Sequence, residues 1–128
     1  MNIVISESQY KRLIEAKEEG KIIKFPSLDF FDKDPDIAWE IIQKIVERKG
    51  NPPYSIEGDL DLSNTPIESL GNLQSVGGDL YLRNTPIESL GNLKSVGRDL
   101  FLKVTPISKM YTEKQIRKMV NVEGDIYL

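Results

Sequence analysis

Between Gly58 and Leu128 the apolar positions recur in a fixed order. Four segments open with Asp, an apolar residue, a variable residue and a second apolar residue: Asp59-Leu60-Asp61-Leu62, Asp79-Leu80-Tyr81-Leu82, Asp99-Leu100-Phe101-Leu102 and Asp125-Ile126-Tyr127-Leu128. Alternation of period two is the mark of a strand with one buried face. Asn-Thr-Pro or Val-Thr-Pro ends the first three segments, because proline cannot donate to a strand ladder. Apolar residues then return at Ile67, Leu70, Leu73 and Val76, and again at Ile87, Leu90, Leu93 and Val96. The pattern predicts strands near 59–62, 79–82, 99–102 and 125–128, with extended or turn-like segments on the opposite side.

The segments belong to a repeat. Gly58 to Gly77 and Gly78 to Gly97 are 20-residue units that differ at three places: Asp61/Tyr81, Ser63/Arg83 and Gln74/Lys94. A decayed third copy begins at Arg98, and a fourth start, Glu-Gly-Asp-Ile-Tyr-Leu, follows at Glu123. One unit cannot bury so many apolar side chains alone, whereas stacked copies can. Gly71, Gly77, Gly91 and Gly97 mark tight corners.

Leu60-Asp61-Leu62-Ser63-Asn64-Thr65-Pro66-Ile67 resembles the strand motif LxLxxTxI of the leucine-rich repeat family. Gly77 to Leu82, GGDLYL, is also similar to the repeats of receptor ligand-binding L domains. The resemblance spans 54–128. It departs from the family in the small number of repeats and at Val104, which stands where the first two units carry Asn64 and Asn84. It implies an α/β fold, a short solenoid of parallel strands, and a binding surface without naming a ligand.

Solenoids need their terminal units covered. Residues 1–53 are expected as a helical cap on the solenoid of 54–128, the two forming one cooperative domain. Ser6 with Gln9 makes a capping box, and Ile5 with Tyr10 a hydrophobic staple, for a helix from Glu7 to about Glu19. Asp34-Pro35 starts a second helix whose apolar stripe is Ala38, Ile41, Ile42, Ile45 and Val46. Trp39 lies off that stripe, which leaves core and exposed positions both open. Ile22 to Phe25 is expected as a short strand beside 59–62. Thr112 with Gln115 makes another capping box, so a helix near 113–121 is expected before the last strand, with Ile116, Met119 and Val120 on one face. The last strand, Asp125, Ile126, Tyr127 and Leu128, is expected as an edge, either solvated or paired with another chain.

With Leu60, Leu62 and their equivalents pointing inward, the residues between them form outward columns. One holds Asp59, Asp79, Asp99 and Asp125. The next holds Asp61, Tyr81, Phe101 and Tyr127. The third holds Ser63, Arg83 and Lys103. Two of the three differences between the near-identical repeats fall in these columns, and aromatic and arginine side chains are enriched at binding hot spots. The expected partner-binding residues are therefore Tyr81, Phe101, Tyr127, Arg83, Lys103, Asp61, Asp79 and Asp99. A purely structural role, cross-strand contact between rings, fits the same column. The aspartates repel one another unless turn N–H groups compensate. A calcium site is the lesser reading, since the loop ligands of a known calcium motif are missing.

Composition narrows the function. The 128 residues include no Cys and no His, and net charge is -3. That removes disulfides, thiolate nucleophiles, the usual general base and the commonest metal ligands. No nucleotide-binding or nucleophile-elbow motif is present. The chain is expected not to be an enzyme and to use no cofactor or metal. Lys114, Arg117 and Lys118 cluster on one short stretch, but three bases are usually a solvated face, and nucleic acid is not the expected partner. No apolar run reaches membrane-span length, and the N-terminus lacks the pattern of a signal peptide. A cytoplasmic location is expected. The segment Ile5 to Ala16, ISESQYKRLIEA, resembles N-terminal segments of proteins from large tailed bacteriophages, which implies the host cytoplasm. The leading expectation is a module that binds another protein through the outward strand face. The alternatives are an assembly subunit, such as a virion component or a homo-oligomer, joined through its terminal strand and cap, and a carbohydrate-binding surface on the aromatic column.

Overall fold

The structure, a computed structural model, describes residues 22–28 and 34–128. The expected helix from Glu7 to Glu19 lies outside the described residues. The fold is mixed α/β, with parallel strands in two sheets and three helices among the described residues. In chain order the elements are β1 (Ile23–Phe25), α1 (Pro35–Arg48), β2 (Tyr54–Ile56), β3 (Leu60–Asp61), β4 (Leu73–Val76), β5 (Leu80–Tyr81), β6 (Ser95–Val96), β7 (Leu100–Phe101), α2 (Pro106–Met110), α3 (Glu113–Met119), β8 (Asn121–Val122) and β9 (Ile126–Tyr127).

Each repeat gives one strand to each sheet. The longer sheet runs β1-β2-β4-β6-β8 and the shorter one β3-β5-β7-β9, with every neighbouring pair parallel. Register follows the repeat, so Leu60, Leu80, Leu100 and Ile126 stand side by side, as do Ser55, Ser75, Ser95 and Asn121. Leu60, Leu62, Leu80, Leu82, Leu100 and Leu102 are wholly buried. They belong to one core that also takes in Ile23, Phe25 and the inner face of α1.

Two corners explain the repeat's fixed glycines. Gly71 and Gly91 adopt φ of +60° and +58°, a left-handed conformation that favours glycine. Gly77 and Gly97 serve closeness instead: a Cβ on either would run into a backbone carbonyl about 20 residues earlier in the chain, that of Glu57 or Gly77. Thr65, Thr85 and Thr105, all buried, donate from Oγ1 to the carbonyls of Leu62, Leu82 and Leu102 at 2.6, 2.8 and 2.7 Å. These bonds satisfy a polar group wherever the chain turns inside the fold.

Several expectations are corrected in detail. β1 pairs with β2, not with 59–62. Ile23 and Phe25 stand beside Tyr54 and Ile56, and all four bury into the core, with the Phe25 and Tyr54 rings edge to face at 5.9 Å. Trp39 is core, 6% exposed, with its ring 6.2 Å from that of Tyr54. Met119 is half exposed and leaves the inner face of α3 to Ile116, with Val120 buried just beyond the helix. The capping box of Thr112 and Gln115 forms as expected. A helix the pattern did not predict, α2, precedes it, capped by Thr105 Oγ1, which accepts the N–H of Ser108 at 3.2 Å.

Candidate functional site: a striped strand face

The shorter sheet presents its outward side chains as three stripes. The middle one is built by register. Asp61 pairs with Tyr81, Tyr81 with Phe101, and Phe101 with Tyr127. Tyr81 and Phe101 stack with centroids 4.5 Å apart and planes 7° apart, and Phe101 and Tyr127 do so at 4.7 Å and 6°. Phe101 therefore has a ring against each face. Within the stack the rings turn their edges to solvent, and only the terminal rings, Tyr81 and Tyr127, have a face with no ring against it among the described residues.

The aspartate stripe solves its own repulsion. Asp59 Oδ1 accepts the main-chain N–H of Asp79 at 2.8 Å, Asp79 Oδ1 that of Asp99 at 2.9 Å, and Asp99 Oδ1 that of Asp125 at 2.8 Å. Each carboxylate thus ties its repeat to the next. Tyr81 also donates from its hydroxyl to the other oxygen of Asp79 at 3.2 Å. Burial pushes the Tyr81 hydroxyl above its ordinary pKa, helped by that bond and by the charges of Asp79, Asp59 and Asp61. The charge of Asp99 does most to raise Tyr127, with burial and Asp125 adding to it.

The third stripe holds half-buried Ser63 and exposed Arg83 and Lys103. Among the described residues one ion pair forms, Arg117 with Glu113, so neither Arg83 nor Lys103 is paired with a stripe aspartate. All eight residues expected to bind a partner, Tyr81, Phe101, Tyr127, Arg83, Lys103, Asp61, Asp79 and Asp99, belong to the strands of this one face or lie within two residues of them. Comparison with protein-family models, with curated proteins and with solved structures finds no match.

The other expected surfaces fare differently. Asp125, Ile126, Tyr127 and Leu128 lie at the last strand of the shorter sheet, which has a neighbour on one side only among the described residues. Ile126 is buried there, while Tyr127 and Leu128 are exposed. Of the three clustered bases, Arg117 is engaged in structure. Its guanidinium donates to Glu113, to the carbonyl of Val122 at 2.9 Å and to that of Gly124 at 2.8 Å, fastening α3 to the turn between β8 and β9. Among the described residues no group of three or more His, Cys, Asp or Glu side chains is placed to hold a metal ion. No helix among them is long and apolar enough to cross a membrane.

Sequence reasoning missed one surface. A hollow of about 410 Å³, lined by Pro53, Asn72, Gln74, Asn92, Leu93 and Lys94, opens on the longer sheet. Gln74 and Lys94, the third place where the repeats differ, line it. The paired asparagines 20 residues apart were a signal for it: Asn92 Nδ2 donates to Asn72 Oδ1 at 2.9 Å.

Proposed function

We propose that the chain is a short solenoid of the leucine-rich-repeat type that binds another protein through its striped strand face and carries out no reaction of its own. One observation supports this reading above the rest. Repeats that agree at all but three positions diverge, at two of those three, on a face where the replacements are a stacked ring and an arginine with no ion pair among the described residues. A face that served only the sheet would have no reason to differ between coils that are otherwise alike. Tyr81, Phe101 and Tyr127 are the apolar anchors, and Arg83, Lys103 and the aspartates flank them with charge of opposite sign. The reading carries with it a cytoplasmic location, that of the host cell if the chain is phage-encoded.

Affinity capture with the immobilised chain, followed by mass spectrometry, tests it. Tyr81→Ala with Phe101→Ala is expected to lose the captured protein while far-UV circular dichroism stays unchanged. Capture that survives the double substitution rejects the strand face.

A second reading, self-association as an assembly subunit, draws on β9 having one strand neighbour. Sedimentation measures it directly: a homo-oligomer that a Leu128→Pro change dissociates, by removing an N–H from the free side of the strand, favours this reading, and a monomer at high concentration rejects it.

A further inference from the structure

The aromatic stripe is one plate short. The second, third and fourth coils each place a ring in it, and the first places Asp61. One face of Tyr81 is covered by Phe101. The other face looks toward the first coil, where the strand partner of Tyr81 is Asp61, a side chain too short to reach alongside the ring. The result is a step, with the open face of a tyrosine as its wall and a carboxylate at its base.

That carboxylate has capacity to spare. Asp61 is exposed, and its Oδ1 accepts the N–H of Ser63 at 3.0 Å. No ion pair joins it to Arg83 or to any other cation among the described residues. One side of the step is acidic as well, while Arg83 stands in the stripe on the other side. Asp59 and Asp79 stand in the neighbouring stripe, and both act on the Tyr81 hydroxyl through their charge.

A ligand that fits such a step is flat, cationic and rich in donors. A guanidinium meets all three demands: it stacks on an aromatic face, it is always charged, and the edge of its plane offers a fork of N–H groups to a carboxylate. An ammonium satisfies the charge but continues no stack and holds its water more strongly. We propose that the step between Asp61 and Tyr81 is a slot for an arginine of the bound protein, its guanidinium lying on the open face of Tyr81 and donating to Asp61. The partner's arginine thereby becomes the missing plate of the stripe. This rests on the reading that the strand face binds a protein, and it adds which side chain the partner must bring.

The test uses the full chain with labelled tyrosine rings, observed by nuclear magnetic resonance at low salt. The probes are the capped peptides acetyl-Gly-Arg-Gly-amide and acetyl-Gly-Lys-Gly-amide. The arginine peptide is expected to shift the Tyr81 ring signals saturably and to show cross-relaxation between its side chain and that ring. The lysine peptide is expected to bind at least about threefold more weakly. Asp61→Asn keeps the acceptor for Ser63 but not the charge, and is expected to weaken arginine binding by about tenfold. Asp61→Tyr places in the first coil the residue that the second coil already carries, fills the step, and is expected to abolish binding without loss of folding. No saturable shift, equal binding of the lysine peptide, or binding that persists in Asp61→Tyr would each overturn the slot. A displayed random-peptide library selected on the chain separates this inference from the one beneath it. Binders that need Tyr81 and Phe101 but show no arginine enrichment, and that bind Asp61→Tyr equally, reject the slot and leave the strand face standing. A library whose binders ignore Tyr81 and Phe101 rejects both.

Discussion

Asp59 and Asp79, one coil apart, are joined through a side chain: Oδ1 of Asp59 accepts the main-chain N–H of Asp79 at 2.8 Å. The same bond recurs from Asp79 to Asp99 and from Asp99 to Asp125. A row of like charges on adjacent strands would otherwise be unfavourable. The arrangement needs an oxygen at each rung but not its charge. Asp99→Ala is therefore expected to cost about 1 kcal/mol of stability, as loss of a bond to a backbone donor does. Asp99→Asn keeps the acceptor and relieves repulsion, and is expected to stay within about 0.5 kcal/mol of the parent. Urea unfolding of the two variants checks this, and equal losses would contradict it.

A second tie joins the helical part to the repeats. Gln43 of α1 donates from Nε2 to the hydroxyl of Tyr54 at 2.7 Å, and that hydroxyl donates to the carbonyl of Leu70 at 2.7 Å. Burial drives the Tyr54 phenol far above its ordinary value of 10.0, against a smaller opposite effect of Gln43. The folded chain holds this proton at a pH where the unfolded chain has begun to release it. Stability from Tyr54 is thus complete below about pH 10 and declines as pH rises beyond it. Tyr54→Phe is expected to cost about 1–2 kcal/mol at neutral pH, by removing the shorter of the two hydrogen bonds that the Leu70 carbonyl accepts, the other coming from the N–H of Leu73 at 3.2 Å. It is also expected to flatten the fall in stability above about pH 10. Urea midpoints at neutral and alkaline pH, measured for both proteins, test the two halves separately. A slope unchanged by the substitution would contradict the assignment.

Val104 is a misfit of the opposite kind. It adopts φ of 59°, as Asn64 and Asn84 do at 62° and 56°, yet it is β-branched and 70% exposed. Asparagine tolerates this conformation and valine does not. Asn84 Nδ2 already donates to Asn64 Oδ1 at 2.9 Å, a ladder that stops at Val104. Val104→Asn is expected to stabilise the chain by about 1 kcal/mol and raise the melting temperature by about 4 °C. An unchanged or lower melting temperature would show that the third coil does not share the turn chemistry of the first two.

The burial of Leu60, Leu62 and their equivalents, and the grouping of Asp61, Tyr81, Phe101 and Tyr127, were legible because period two leaves each side chain only two faces to choose from. The second sheet was not. Its strands are two to four residues long, too short for the alternation in Tyr54-Ser55-Ile56 to stand out, and the matching triplets Gln74-Ser75-Val76 and Lys94-Ser95-Val96 open on a polar residue. Helix α2 was hidden for another reason. Its Thr-Pro-Ile start is shared with the two preceding units, where no helix forms. The difference comes afterwards, where Tyr111 takes the place of the left-handed Gly71 and Gly91 and the extended path is not restored. The role of Arg117 was equally out of reach, since its carbonyl partners Val122 and Gly124 are backbone groups that no side-chain pattern announces.

The most direct test of the strand-face account is the affinity of the captured protein for three forms of the chain, measured by isothermal titration. The parent is compared with Tyr81→Ala/Phe101→Ala and with Glu68→Ala/Glu88→Ala, a pair of exposed residues outside the strand face. The account predicts that the aromatic pair costs about a hundredfold or more in Kd, as loss of two anchoring rings does, while the glutamate pair stays within about twofold. Equal affinity for the parent and the aromatic variant, or a loss confined to the glutamate variant, would contradict it.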